Sequence, residues 1–105
     1  MIYNPHFKVN ELEEKVYNNF KKTGVILFGT GGLGTLALHA LKQKNIKVIY
    51  FVDNNYSNWN KKFKECDVIS PDTLKSKFND YPVIISSIKF KYLKRLLKNL
   101  NIKNV

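Results

Sequence analysis

Residues 25–34 read Val-Ile-Leu-Phe-Gly-Thr-Gly-Gly-Leu-Gly, an apolar run that passes directly into Gly-x-Gly-x-x-Gly at Gly29, Gly31 and Gly34. Roughly 20 residues further on, a second apolar run over 48–52 ends on Asp53. Spaced glycines alone constrain little. A buried-type strand, a glycine turn, a helical pattern and a second strand ending in an acid together describe the βαβ unit that binds dinucleotides. The prediction is an α/β chain that holds a nucleotide.

The rest of the pattern extends that unit. Residues 9–22 predict a helix, with Val9, Leu12, Val16 and Phe20 recurring at spacings of three and four, Asn10 as its cap, and Glu11, Glu13 and Glu14 near its start. Thr23-Gly24 turns the chain into the first strand, 25–28. A helix over 33–43 follows, with Leu33, Leu36, Ala37, Ala40 and Leu41 expected inside. Strands are predicted at 47–52, 66–69 and 83–86, and a last edge strand at 102–105. Ser70 before Pro71, with Asp72 in the first turn, starts a helix over 71–78, and another is expected over 89–99. Helices alternating with strands predict a Rossmann-like three-layer sandwich. Its parallel sheet has four to five strands in the order 3-2-1-4-5, with the helix over 9–22 as an addition.

At 105 residues the chain is expected to be one domain, too short for both halves of a full dinucleotide-binding enzyme. Hydrophobic residues at 44% and charged residues at 25% exclude a disordered composition. No apolar run approaches the roughly 20 residues that span a bilayer. The start, Met1 to His6, lacks a basic region and apolar core, so the expected compartment is the cytoplasm. Cys66 is the single cysteine, which excludes an intrachain disulfide and reads as a bland thiol. The net charge of +10 raises nucleic acid as a partner, yet all 18 basic residues but Arg95 are lysine, spread along the chain. Sequence readout favours arginine forks, so sequence-specific nucleic-acid binding is not expected. Local basic clusters at 61–64 and 89–95 remain able to attract an anionic ligand or a membrane surface.

The motif assigns roles. Gly29 permits the tight turn, Gly31 lets backbone N–H groups from Thr30 through Gly32 to Leu33 approach a pyrophosphate, and Gly34 lets the helix approach the strand. Asp53 accepts from a ribose 2′-hydroxyl and repels a 2′-phosphate, which favours NAD over NADP. Asn54 lines the nucleoside pocket or simply turns the chain. Ser86 and Ser87, at the end of the fourth strand, flank the switch point, where they contact a ribose or base or else cap the next helix. Trp59 covers a base or plugs the underside of its loop. His39 belongs to the helix surface or its packing. No cluster has metal-ligand spacing, and no catalytic residue is identified. Leu33, where a methyltransferase would prefer a third glycine, counts against S-adenosylmethionine.

Four segments carry a family resemblance: Ile-Leu-Phe-Gly-Thr-Gly-Gly-Leu-Gly, Val-Ile-Tyr-Phe-Val-Asp-Asn-Asn, Val-Ile-Ser-Pro-Asp-Thr-Leu and Val-Ile-Ile-Ser-Ser. Over about residues 23 to 105 the chain resembles the small Rossmann-like domains of surface-polysaccharide biosynthesis. Such domains precede nucleotide-sugar dehydratases and sugar O-acetyltransferases, and accompany FkbM-type and sugar C-methyltransferases. The resemblance implies NAD or a nucleotide-sugar as ligand, with Gly29, Gly31 and Gly34 at the phosphate, Asp53 and Asn54 at the nucleoside, and Ser86 and Ser87 on the fourth strand. It also implies a catalytic partner domain or subunit, the domain itself rarely doing chemistry. Two alternatives stand beside a non-catalytic binding module. One is the cofactor fragment of an NAD-dependent oxidoreductase, dehydratase or methyltransferase. The other is a regulatory sensor acting as a homodimer.

Overall fold

The computed structural model describes residues 2–3 and 14–86. In chain order these form β1 (Ile2–Tyr3), α1 (Glu14–Thr23), β2 (Val25–Phe28), α2 (Gly32–Gln43), β3 (Val48–Val52), β4 (Lys62–Phe63), β5 (Cys66–Ile69), α3 (Pro71–Lys77) and β6 (Val83–Ile85), with a short 3-10 turn at Tyr56–Asn58. The sheet order is β1-β6-β2-β3-β5-β4. Its four inner strands, β6-β2-β3-β5, are parallel and stand in the expected order.

Both flanks add something the pattern did not announce. Beside β6 stands β1, paired in parallel through Ile2 with Val83 and Tyr3 with Ile84. The strand expected there, 102–105, lies outside the described residues, as do the helix expected at 89–99 and the portion 9–13 of the first helix. At the other flank β4 pairs antiparallel with β5, closed by a turn in which Lys64 (φ 51°) and Glu65 (φ 71°) are both left-handed. Two-residue strands are too short for periodicity to reveal.

Alternation along β2 explains the layers. Val25 and Leu27 point into one core with Phe20 of α1 and Leu38 and Leu41 of α2, while Ile26 and Phe28 point into the other with Leu74 of α3. A strand covered on both faces must be apolar throughout, as Val-Ile-Leu-Phe is. A bulge in the β2–β3 register lets Val48 and Phe51 share the first core while Tyr50 and Val52 join the second.

The helix ends follow local chemistry. Ser70 caps α3, its hydroxyl accepting from the Thr73 amide at 3.0 Å, with Pro71 in the first turn. At the end of α2, Asn45 adopts φ 61°, its amide donates to Lys42 O and the Ile46 amide donates to Leu41 O. That is the Schellman arrangement, sealed by Ile46 in the core.

One packing expectation is corrected. Leu36 was assigned to the interior of α2 and is 67% exposed, whereas Leu38, not assigned, is buried. Gly34 is the point where α2 meets the sheet, and Leu38 and Leu41 lie on the same side of the helix at i+4 and i+7. Leu36, two residues from Gly34, falls on the opposite side. Ala37 and Ala40 pack against the core as expected, and Leu33 is half-buried.

Candidate functional site

The carboxyl ends of β2, β3 and β6 meet at one edge of the sheet. The chain passes from β2 through α2 to β3 on one side, and returns from β5 through α3 to β6 on the other. The β2–β6 boundary is therefore the topological switch point where open α/β sheets bind ligands. Gly29 lies at that boundary. Its amide donates to Val52 O at 2.9 Å, and the neighbouring Ser86 amide donates to Phe28 O at 3.0 Å. Gly29 has φ 128°, and a Cβ there would stand 2.5 Å from the Ser86 carbonyl oxygen. Only glycine fits.

Gly34 has a different reason. A Cβ on it would fall onto the Gly29 carbonyl oxygen, so α2 lies against the turn it leaves. Gly31 and Gly32 differ again: a Cβ on either meets no protein atom within 4 Å. Gly31 has an extended backbone, φ −87° and ψ −159°, that any residue adopts. Neither the turn nor the packing requires glycine at these two positions; both border open space at the start of α2.

That start is electrostatically bare. Gly31 caps α2 without a side-chain hydrogen bond, and no acid stands in its first turn. The amides at a helix start and the helix dipole therefore offer a positive end to the open space. Ser70 closes the corresponding end of α3, so the same chain uses a side-chain cap where it needs one.

Across the edge, Asp53 follows β3. Thr30 Oγ1 donates to its Oδ2 at 2.7 Å, Asn58 Nδ2 donates to the same oxygen at 2.7 Å, and the Asn55 amide donates to Oδ1 at 2.8 Å. Partial burial raises the carboxyl pKa, but the bonds from Asn55, Thr30, Asn58 and the Asn54 backbone outweigh it and hold the group below its ordinary value. Asp53 is thus a fixed anion, tied by Thr30 to the glycine turn.

The remaining assigned residues sort by position. Asn54 is exposed beside Asp53. Ser86 is at the switch point but only 3% exposed, its hydroxyl donating to Phe28 O over a long 3.4 Å; Ser87 lies outside the described residues. Trp59 packs against the first core, and its indole N–H donates to Asp53 O at 2.6 Å, so it plugs the loop. His39 is exposed on α2. Cys66 is half-buried, its Sγ–H toward Val48 O at 3.7 Å, and burial pushes its thiol up. Among the described residues, no group of His, Cys, Asp and Glu could hold a metal ion, and no helix is long and apolar enough to cross a membrane.

Sequence reasoning missed Thr30 and Asn58 as partners of the acid. A hydroxyl between the first two glycines was a legible signal for Thr30, since that position faces the end of the next strand. Nothing marked Asn58, because its reach depends on the 3-10 turn.

No curated protein matches the chain's sequence. Several solved structures resemble its fold, two of RSP among them. A crystal structure of RSP, a Rex-family repressor, is 19% identical with a TM-score of 0.59, and the match covers 86% of this chain and 50% of that one. The crystal structure of RSP in complex with β-NADH gives 19% and 0.54 over the same shares. The chain therefore spans half the length of these structures, and the likeness is one of fold. The family described as C2185-like, N-terminal, matches residues 21–105, from the end of α1 through every inner strand. The chain belongs to this C2185-like N-terminal family.

Proposed function

We propose that the chain is a nucleotide-binding module that takes a diphosphate on the glycine turn and a ribose hydroxyl on Asp53, with NAD(H) as the favoured ligand. The observation that carries this reading is the open space over Gly31 and Gly32 at an uncapped helix start, beside an anionic Asp53. A diphosphate suits the helix start, and a ribose diol suits a carboxylate. The similarity to a structure of RSP in complex with β-NADH supports a nicotinamide dinucleotide. The charge on Asp53 opposes a 2′-phosphate, which favours NAD over NADP. Asn54 borders the nucleoside, and Ser86 supports the turn from beneath through Gly29. A nucleotide-sugar shares the diphosphate and ribose chemistry. The resemblance carried by Asp53-Asn54 and Ser70-Pro71 favours surface-polysaccharide synthesis as the setting, with a partner domain or subunit performing the chemistry.

The test is titration with NAD, NADP and UDP-N-acetylglucosamine, followed by calorimetry and thermal unfolding. A ligand at about 100 times its Kd stabilises the folded state by roughly 2.7 kcal/mol. NAD is expected to do so, NADP to bind more weakly, and Gly31→Asp and Asp53→Ala to abolish the response. Unchanged affinity in both variants would sink the assignment.

The similarity to a Rex-family repressor favours a second reading, a homodimeric sensor of nucleotide. Solution mass with and without NAD separates them: a dimer whose association changes with NAD supports the sensor, and an unchanging monomer supports the carrier.

A further inference from the structure

Resting on the nucleotide-binding reading above, we infer that Tyr56 is the stacking platform for the base of the nucleoside whose ribose meets Asp53, a purine in the NAD case. Tyr56 is 77% exposed, and a lone exposed aromatic says little by itself. What sets it apart is how its turn is held. The residue before it and the residue two after it both bind the Asp53 carboxylate, Asn55 through its amide at 2.8 Å and Asn58 through its side chain at 2.7 Å.

Inside the turn, the Asn55 side chain accepts from the Ser57 amide at 3.1 Å and the Ser57 hydroxyl at 2.8 Å. The Asn58 amide donates to Asn55 O at 3.0 Å, and the Trp59 amide donates to Tyr56 O at 3.2 Å. Trp59, anchored on the core and on Asp53 O, meets the Tyr56 ring edge-on, with centroids 6.4 Å apart and planes at 73°. Tyr56 therefore rises from a fixed backbone with one edge-on neighbour and most of its surface in solvent.

A stacking platform needs a π face, exposure and little conformational freedom to lose on binding. Tyr56 has the π face and the exposure, and the backbone that carries it is held within one turn of the carboxylate that would hold the ribose. The base hangs from that ribose. Trp59 is excluded as the platform, because its ring is packed and its N–H is already bonded.

The experiment is calorimetry of NAD and ADP with the wild-type chain, Tyr56→Ala, Tyr56→Phe and Gly31→Asp. Exposure of Tyr56 predicts melting midpoints for the ligand-free Tyr56 variants close to wild type. Removing a base platform weakens binding by about tenfold or more, as for stacked bases elsewhere. Tyr56→Ala is expected to raise both Kd values by that factor, and Tyr56→Phe to stay within about twofold of wild type. Equal affinity for Tyr56→Ala and wild type overturns the platform, as does Tyr56→Phe binding as weakly as Tyr56→Ala, which would assign the effect to the hydroxyl. If Gly31→Asp abolishes binding while Tyr56→Ala leaves it intact, the platform alone fails. A wild-type chain that binds neither probe overturns the nucleotide-binding reading and the platform with it.

Discussion

Replacing Gly31 with alanine should separate folding from binding, because the glycine motif holds its residues for unrelated reasons. At Gly31 the backbone is extended and the added methyl meets no protein atom within 4 Å. No strain or clash is introduced, so the change acts mainly on the unfolded chain, whose freedom it reduces. A compatible Gly→Ala substitution stabilises by about 0.4–1 kcal/mol. Gly31, however, is the N-cap of α2, where alanine is poorer than glycine by a similar amount, so the two effects nearly cancel. For a chain of this size the melting midpoint should then stay within about 4 °C of wild type. Gly34→Ala introduces the same methyl onto the Gly29 carbonyl oxygen. The helix must then move off the turn, an overpacking cost of about 1–3 kcal/mol.

Gly34→Ala is therefore destabilising where Gly31→Ala is nearly neutral. Binding should fall in both, since the methyl on Gly31 occupies the space assigned to the diphosphate. The assay is thermal and urea unfolding without ligand, then calorimetry with NAD. A Gly31→Ala chain that is destabilised by more than about 1 kcal/mol would refute the open-space argument. One that keeps its stability yet binds NAD as wild type does would show that the diphosphate lies elsewhere.

Further predictions follow from the same structure. Asp53 has a folded pKa below its unfolded value, so its stabilising contribution is present above about pH 4 and disappears as pH falls through the folded pKa. Urea midpoints at pH 7 and pH 3 should show wild type losing more stability than Asp53→Asn; equal losses would contradict this. Lys64 and Glu65 occupy left-handed positions in a two-residue hairpin turn that Asn-Gly suits, so the double substitution Lys64→Asn with Glu65→Gly should stabilise by roughly 1 kcal/mol in chemical unfolding. Leu38→Ala should cost about 2–5 kcal/mol, while Leu36→Ala should stay within about 0.5 kcal/mol, which the same unfolding curves test.

What the sequence made legible follows from how far each signal reaches. The inner strand order was readable because β2 and β6 are apolar at every position, which requires cover on both faces, and because Gly29 and Asp53 mark the ends of adjacent strands. The cap at Ser70 was readable because its partner is three residues away. The outer strands β1 and β4 were not, since two residues carry no period and their existence depends on partners distant in sequence or on a turn of unfavourable residues. The carboxylate bonds of Asp53 fall between: Thr30 is placed by the motif, but Asn58 is placed only by the turn it helps to make. The error at Leu36 has a sharper lesson. Apolar spacing gives the width of a helix's buried stripe but not its direction, which an independent contact must set. Here Gly34 sets it. At about 100° per residue, Leu38 and Leu41 lie within about 40° of Gly34, and Leu36 lies about 160° away. The glycine that brings α2 against the turn therefore also decides which leucines face the core, so the frame of this helix was contained in the motif that suggested the site.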